Sequence, residues 1–103
     1  MDYQPRAAIV GAGPNGLTAA ARLAMAGWSV DIYERAGWAG GAAASSAEIF
    51  PGTIVDLGAA GHPFGVASPA FHALDLESHG LRWLNASYPM AHPLEGAPAG
   101  ILQ

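Results

Sequence analysis

A chain of 103 residues has room for one small domain, and four Lys and Arg against eight Asp and Glu give a net charge of -4, no electrostatic footprint for nucleic acid. The absence of cysteine excludes a disulfide framework, thiolate zinc ligation and the redox Cys pair of disulfide reductases. No run of about 18 apolar residues occurs to span a membrane. The polar start Met1-Asp2-Tyr3-Gln4-Pro5-Arg6 lacks the order of a secretion signal, so a cytoplasmic location is the default expectation.

Ala7 to Val10 is a short apolar run and reads as a strand. Three glycines follow directly in G-x-G-x-x-G spacing, Gly11, Gly13 and Gly16. Pro14 to Ala26 has a helical pattern stopped by Gly27. Ser29 to Tyr33 reads as a second strand, parallel to the first because a helical crossover joins them, and it ends at Glu34. The glycine spacing alone also serves turns in other α/β folds. Strand, glycines, helix and terminal acid in this order make a βαβ dinucleotide-binding start.

Each part has a physical role. Gly11 permits the tight turn from strand to helix, Gly13 lets a pyrophosphate approach the backbone, and Gly16 lets helix and strand pack closely. The helix N-terminus around Pro14 and Asn15 offers free N–H groups and the positive end of the helix dipole. Pro14 suits that first turn because no internal N–H bond is lost there. Glu34 stands where a carboxylate accepts hydrogen bonds from the hydroxyls of an adenosine ribose. It would repel a 2′-phosphate, which argues against NADP.

Arg35 to Ser46 reads as a Gly/Ala-rich loop with a short helical turn near Gly40-Gly41. Ala47–Phe50 and Thr53–Leu57 suggest a hairpin around Pro51-Gly52, which is turn chemistry. Gly58 to Ala67 reads as a loop. Ser68 and Pro69 then suit the N-cap and first position of a helix through Ser78, closed by Gly80. Leu81 to Leu84 reads as one more strand. From Asn85 onward, Pro89, Pro93 and Pro98 argue against a regular element.

His62, His72, His79 and His92 share no spacing that suggests a metal site. Asp56 reads equally as a turn residue or a hydrogen-bonding member of the site. There is no nucleophile elbow and no Ser/His/Asp constellation, so no catalytic residue is named.

The segment Arg35-Ala36-Gly37-Trp38-Ala39-Gly40-Gly41 goes beyond what a plain NAD-binding domain needs. Here the chain resembles the FAD-dependent oxidoreductases of the amine oxidase and phytoene desaturase superfamily. Gly-Pro-Asn-Gly-Leu in the first loop, Phe50-Pro51-Gly52, Val55-Asp56-Leu57-Gly58, His62-Pro63 and Ser68-Pro69 resemble its phytoene-dehydrogenase-like branch. The resemblance implies FAD as cofactor, with Gly40 and Gly41 against its pyrophosphate and ribityl chain. Many members place an arginine right after the doublet; Ala42 stands there, so that cationic contact is missing. The candidate cofactor-binding set is Gly11, Gly13, Pro14, Asn15, Gly16, Glu34, Arg35, Gly40 and Gly41.

The expected fold is α/β, a Rossmann-like FAD/NAD(P)-binding unit forming the N-terminal portion of a larger two-domain flavoprotein. Residues 1–103 would be a single partial FAD-binding domain. A hydrophobic fraction of 51% fits a partial sheet with uncovered apolar surface. In the complete enzyme the resemblance implies oxidation of a C–C or C–N bond of a small apolar or amine substrate, with electrons passing to FAD. An alternative is a non-catalytic nucleotide-binding fragment that needs a partner chain or a missing C-terminal part. A bare NAD-binding module is a third reading, against which Gly40-Gly41 speaks.

Overall fold

The structure is a computed structural model and describes residues 3–102. Met1 and Asp2, which open the polar N-terminal stretch, lie outside it, as does Gln103. Strand β1 (Arg6–Val10) leads through the glycine turn into helix α1 (Pro14–Met25), and strand β2 (Ser29–Tyr33) returns beside β1. The two strands are parallel and in simple register from Arg6↔Ser29 to Val10↔Tyr33. A 2.9 Å ion pair between Arg6 and Asp31 spans them. Both side chains are largely solvated, so it orients more than it stabilises.

Helix α1 forms where the sequence is rich in alanine, the best helix former, and starts with Pro14 at a position that needs no donor. Its C-terminus closes in a Schellman arrangement. The Gly27 N–H bonds to the Ala24 carbonyl at 2.9 Å, and the Trp28 N–H reaches the Leu23 carbonyl at 3.1 Å. The helix covers the face of β1 that carries Ile9, and on the helix Ala20 is buried. The opposite face, with Ala8 and Val10, is open to solvent, and Val10 is 89% exposed.

A short 3₁₀ turn, Gly41–Ala43, follows the Gly-Gly doublet, in line with the helical turn expected there. Strands β3 (Ser45–Phe50) and β4 (Thr53–Asp56) form the antiparallel hairpin around Pro51-Gly52, with a register shift between Ser46 and Phe50. Helix α2 covers Pro69–Ala73 and is capped as its sequence suggests, Ser68 Oγ accepting from the Phe71 N–H at 3.4 Å.

Three expectations fail beyond this point. The helix from Ser68 does not run to Ser78. Asp75 adopts a left-handed conformation (φ 48°) that ends α2 and starts a separate 3₁₀ turn, Leu76–His79. Aspartate is among the few residues that tolerate this region, so one residue cuts the periodic pattern. Leu81 to Leu84 is not a strand. Trp83 packs against Gly65, where any β-carbon would collide with the indole, so packing rather than a ladder fixes this stretch. The proline-rich tail is regular after all: β5 (Met90–Leu94) and β6 (Ala97–Leu102) form an antiparallel hairpin. Pro93 and Pro98 fall inside the register shift between His92↔Gly100 and Leu94↔Ala97. In a two-stranded ribbon both strands are edges, so prolines there forfeit little.

The core is slight. Among the described residues only Ala12, Ala20, Ala44 and Leu74 are buried apolar residues. The molecule is 72 Å long, with a radius of gyration of 18.3 Å. A compact chain of this size has about 13 Å. No helix among the described residues is long and apolar enough to cross a membrane.

Candidate dinucleotide site

The site lies at the carboxyl end of β1 and β2, where a doubly wound sheet places its ligands. The Gly11 N–H donates to the Tyr33 carbonyl at 2.8 Å, carrying the strand pairing one residue past β1. The buried Ala12 then turns its N–H to Glu34 Oε2 at 2.7 Å. The other carboxylate oxygen, Oε1, accepts from the Ala36 N–H at 2.8 Å. Glu34 is thus held between the turn before α1 and the loop after β2. The Ala36 and Ala12 N–H bonds, with a smaller pull from the Arg35 charge, hold its carboxyl below the ordinary range. It is ionised at neutral pH.

Gly16 sits where a β-carbon would collide with the Gly11 carbonyl oxygen and come within 3.3 Å of Ile9 Cγ2. It allows α1 to lie against β1, as the sequence suggested. At the start of α1, Pro14 takes the first turn and no side chain caps the helix from Gly13. Leu17 is the first residue of the ladder, its N–H reaching the Gly13 carbonyl at 2.9 Å. The N–H groups of Asn15 and Gly16 precede the ladder and have no intrahelical acceptor, so the positive end of the helix dipole is uncapped here.

The second glycine motif comes to the same place. The Gly40 N–H donates to the Ala12 carbonyl at 2.7 Å, and a β-carbon on Gly41 would stand 3.0 Å from Gly13 Cα. Gly40 (φ 115°) and Gly41 (φ 54°) both adopt left-handed conformations, which side chains with a β-carbon rarely do. A β-carbon on Gly13 would meet no other group nearer than Gly41 Cα at 4.0 Å, so the space over this glycine is not filled by protein. Motifs far apart in sequence thus form one glycine-lined surface beside the N-terminus of α1.

Arg35 is exposed beside Glu34. The Ala42 carbonyl accepts from the Ala59 N–H at 2.7 Å, so this residue docks the chain after β4. Asp56 is tied into the β3–β4 hairpin, its Oδ1 accepting from Ser45 Oγ at 2.7 Å. His62 enters a turn, its carbonyl accepting from the Gly65 N–H at 3.1 Å. Among the described residues no three His, Asp or Glu side chains gather into a metal-binding group.

Sequence reasoning missed Ala12 and Ala36, whose N–H groups orient the acid. No side-chain signal could have found them, because any residue but proline supplies that donor. Taken together, the unladdered N–H groups of the first turn of α1, the ionised Glu34 carboxylate and the glycine-lined surface lie side by side. No curated protein and no solved structure matches the chain. The model of the NAD(P)-binding Rossmann-like domain matches residues 9–76, well over half of the sequence, and the chain belongs to that dinucleotide-binding family.

Proposed function

We propose that the chain is the N-terminal FAD-binding segment of a phytoene-dehydrogenase-like, FAD-dependent oxidoreductase, and that residues 1–103 hold the ADP half of FAD. The observation that carries this reading is the apposition of Gly41 to Gly13, with the Gly40 N–H bound to the Ala12 carbonyl. A plain NAD-binding turn needs no second glycine pair along the diphosphate. In this reading the N-terminal turn of α1, Pro14 to Gly16, receives the pyrophosphate. Glu34 accepts from the adenosine ribose hydroxyls and disfavours a 2′-phosphate. Arg35 lies toward the adenosine end, and Gly40 and Gly41 leave room along the phosphates and ribityl chain.

When bound, FAD supplies the electron acceptance for oxidation of a C–C or C–N bond in a small apolar or amine substrate. This chain's residues bind and orient; the groups facing the flavin ring belong to further polypeptide. A cytoplasmic location accompanies this reading.

The open face of β1 favours a second reading, a nucleotide-binding fragment that works only with a partner chain or further polypeptide. The visible spectrum of the purified chain, with and without added FAD, separates the two. A flavin band that stays with the protein through gel filtration supports a self-sufficient FAD module. A colourless protein that still binds ADP supports the fragment.

A further inference from the structure

We propose that the crevice between α2, the Leu76–His79 turn and the Trp83 stretch binds a small organic cation, an alkylammonium ion. This goes beyond the nucleotide reading, since the crevice shares no residue with the glycine-lined surface or with Glu34.

Packing builds the crevice. Its volume is about 280 Å³, at the small end of ligand sites and too small for a dinucleotide. Gly65 makes room for the Trp83 indole, since a β-carbon there would collide with the ring. The Leu81 N–H bonds to the Leu76 carbonyl at 3.0 Å, which folds the stretch before Trp83 back against the turn. Phe71, Leu76, Leu81 and Trp83 are half-buried and form an apolar wall. Asp75 and Glu77 also line the crevice and are exposed, so the carboxylates stand at its mouth. The Asp75 carbonyl accepts from the Ser78 N–H at 3.1 Å and from Ser78 Oγ at 2.8 Å. The backbone that carries this acid is therefore held in place.

Charge and shape together select the ligand. Among the described residues the one ion pair joins Arg6 to Asp31, so neither Asp75 nor Glu77 has a cationic partner. Arg82, next to Trp83, is exposed and does not line the crevice, whereas His72 adds an imidazole to it. Two carboxylates alone are a solvated acidic pair. The indole beside them makes the difference, because tryptophan is the best aromatic partner of a cation. An ammonium group meets the carboxylates through charge-assisted hydrogen bonds, and its alkyl carbons cover the apolar wall. An anion is repelled. A divalent metal ion is poorly served, since among the described residues no three His, Asp or Glu side chains gather, and calcium takes about six to eight oxygens.

The test is a titration of the ¹⁵N-labelled full chain with n-butylammonium chloride at constant ionic strength. Separate titrations use n-butanol, sodium butyrate and magnesium chloride. Expected are saturable shifts in Gly65, Phe71 to Glu77 and the Trp83 indole N–H with n-butylammonium alone. The double variant Asp75→Asn, Glu77→Gln removes both charges and keeps a residue that tolerates the left-handed conformation. It should weaken binding by about tenfold or more. Trp83→Leu should weaken it by about threefold or more, with ADP affinity unchanged in both variants. Shifts that do not saturate, equal shifts with n-butanol or butyrate, or equal ones with magnesium would each overturn the proposal. So would undiminished binding in a Trp83→Leu variant that keeps its native amide spectrum. Where Trp83→Leu loses that spectrum, the exposed pair decides, and undiminished binding in Asp75→Asn, Glu77→Gln overturns the proposal as well.

Discussion

Glu34 shows how little a single residue does alone. Its type is a sequence fact, but its position is set by two backbone N–H groups from Ala12 and Ala36. Replacing it with glutamine keeps the shape and removes the charge. Glu34→Gln should weaken ADP binding by roughly tenfold or more, the scale of hydrogen bonds to a charged group, as read by calorimetry. Unchanged affinity would remove Glu34 from the ribose role. The lowered pKa adds a pH signature. A group depressed in the folded state contributes above its unfolded value and is lost as pH falls through the folded one. The part of ADP affinity that depends on the Glu34 charge should therefore be fully present at neutral pH and be lost only as pH falls below the ordinary carboxylate range. In Glu34→Gln that component should vanish. Gly13→Val should abolish measurable ADP binding, since a branched side chain would occupy the open space over Gly13; retained binding would move the phosphates elsewhere.

At the scale of elements, the βαβ unit depends on α1 lying close to β1, and Gly16 sets that distance. Gly16→Ala should destabilise the chain by roughly 1–3 kcal/mol in a denaturant titration, the usual cost of forcing a methyl into filled space. Here the methyl meets the Gly11 carbonyl rather than a flexible side chain. The βαβ unit from Arg6 to Glu34 was legible because every local signal agreed: apolar strand, ordered glycines, helix former, stop glycine, acid. The Gly-Gly turn and the Pro51-Gly52 hairpin were legible for the same reason. The rest was not, because single residues decided it. The break at Asp75 is a left-handed residue inside a good helical pattern. The Trp83 contact with Gly65 is tertiary and leaves no local trace. The β5–β6 hairpin turns on Glu95-Gly96, with Gly96 at a positive φ, and Pro93 and Pro98, which argue against a regular element, are tolerated in a two-stranded ribbon. The joining of Gly40-Gly41 to the first turn was also beyond local pattern, since Gly40 bonds to Ala12 across 28 positions.

The whole molecule has one well-knit unit and two lighter hairpins, each strand of which pairs only with its neighbour. An isolated two-stranded hairpin is marginal in water, and stability need not be shared along a chain with so small a core. Ligand binding should therefore act locally. ADP at a hundred times its dissociation constant adds about 2.7 kcal/mol to whatever unfolds together with the site. In hydrogen exchange that added protection should cover β1, the glycine turn, α1, β2 and the Gly40–Gly41 loop. The β5–β6 hairpin, with Met90, Leu94, Ile101 and Leu102 all more than half exposed, should exchange at the same rate with or without ADP. Protection spreading equally into Met90–Leu102 would mean that the hairpin folds as one body with the nucleotide site, and the division into separately stable parts would fall. Confinement to the βαβ unit and the Gly40–Gly41 loop would show that the nucleotide stabilises only what it touches.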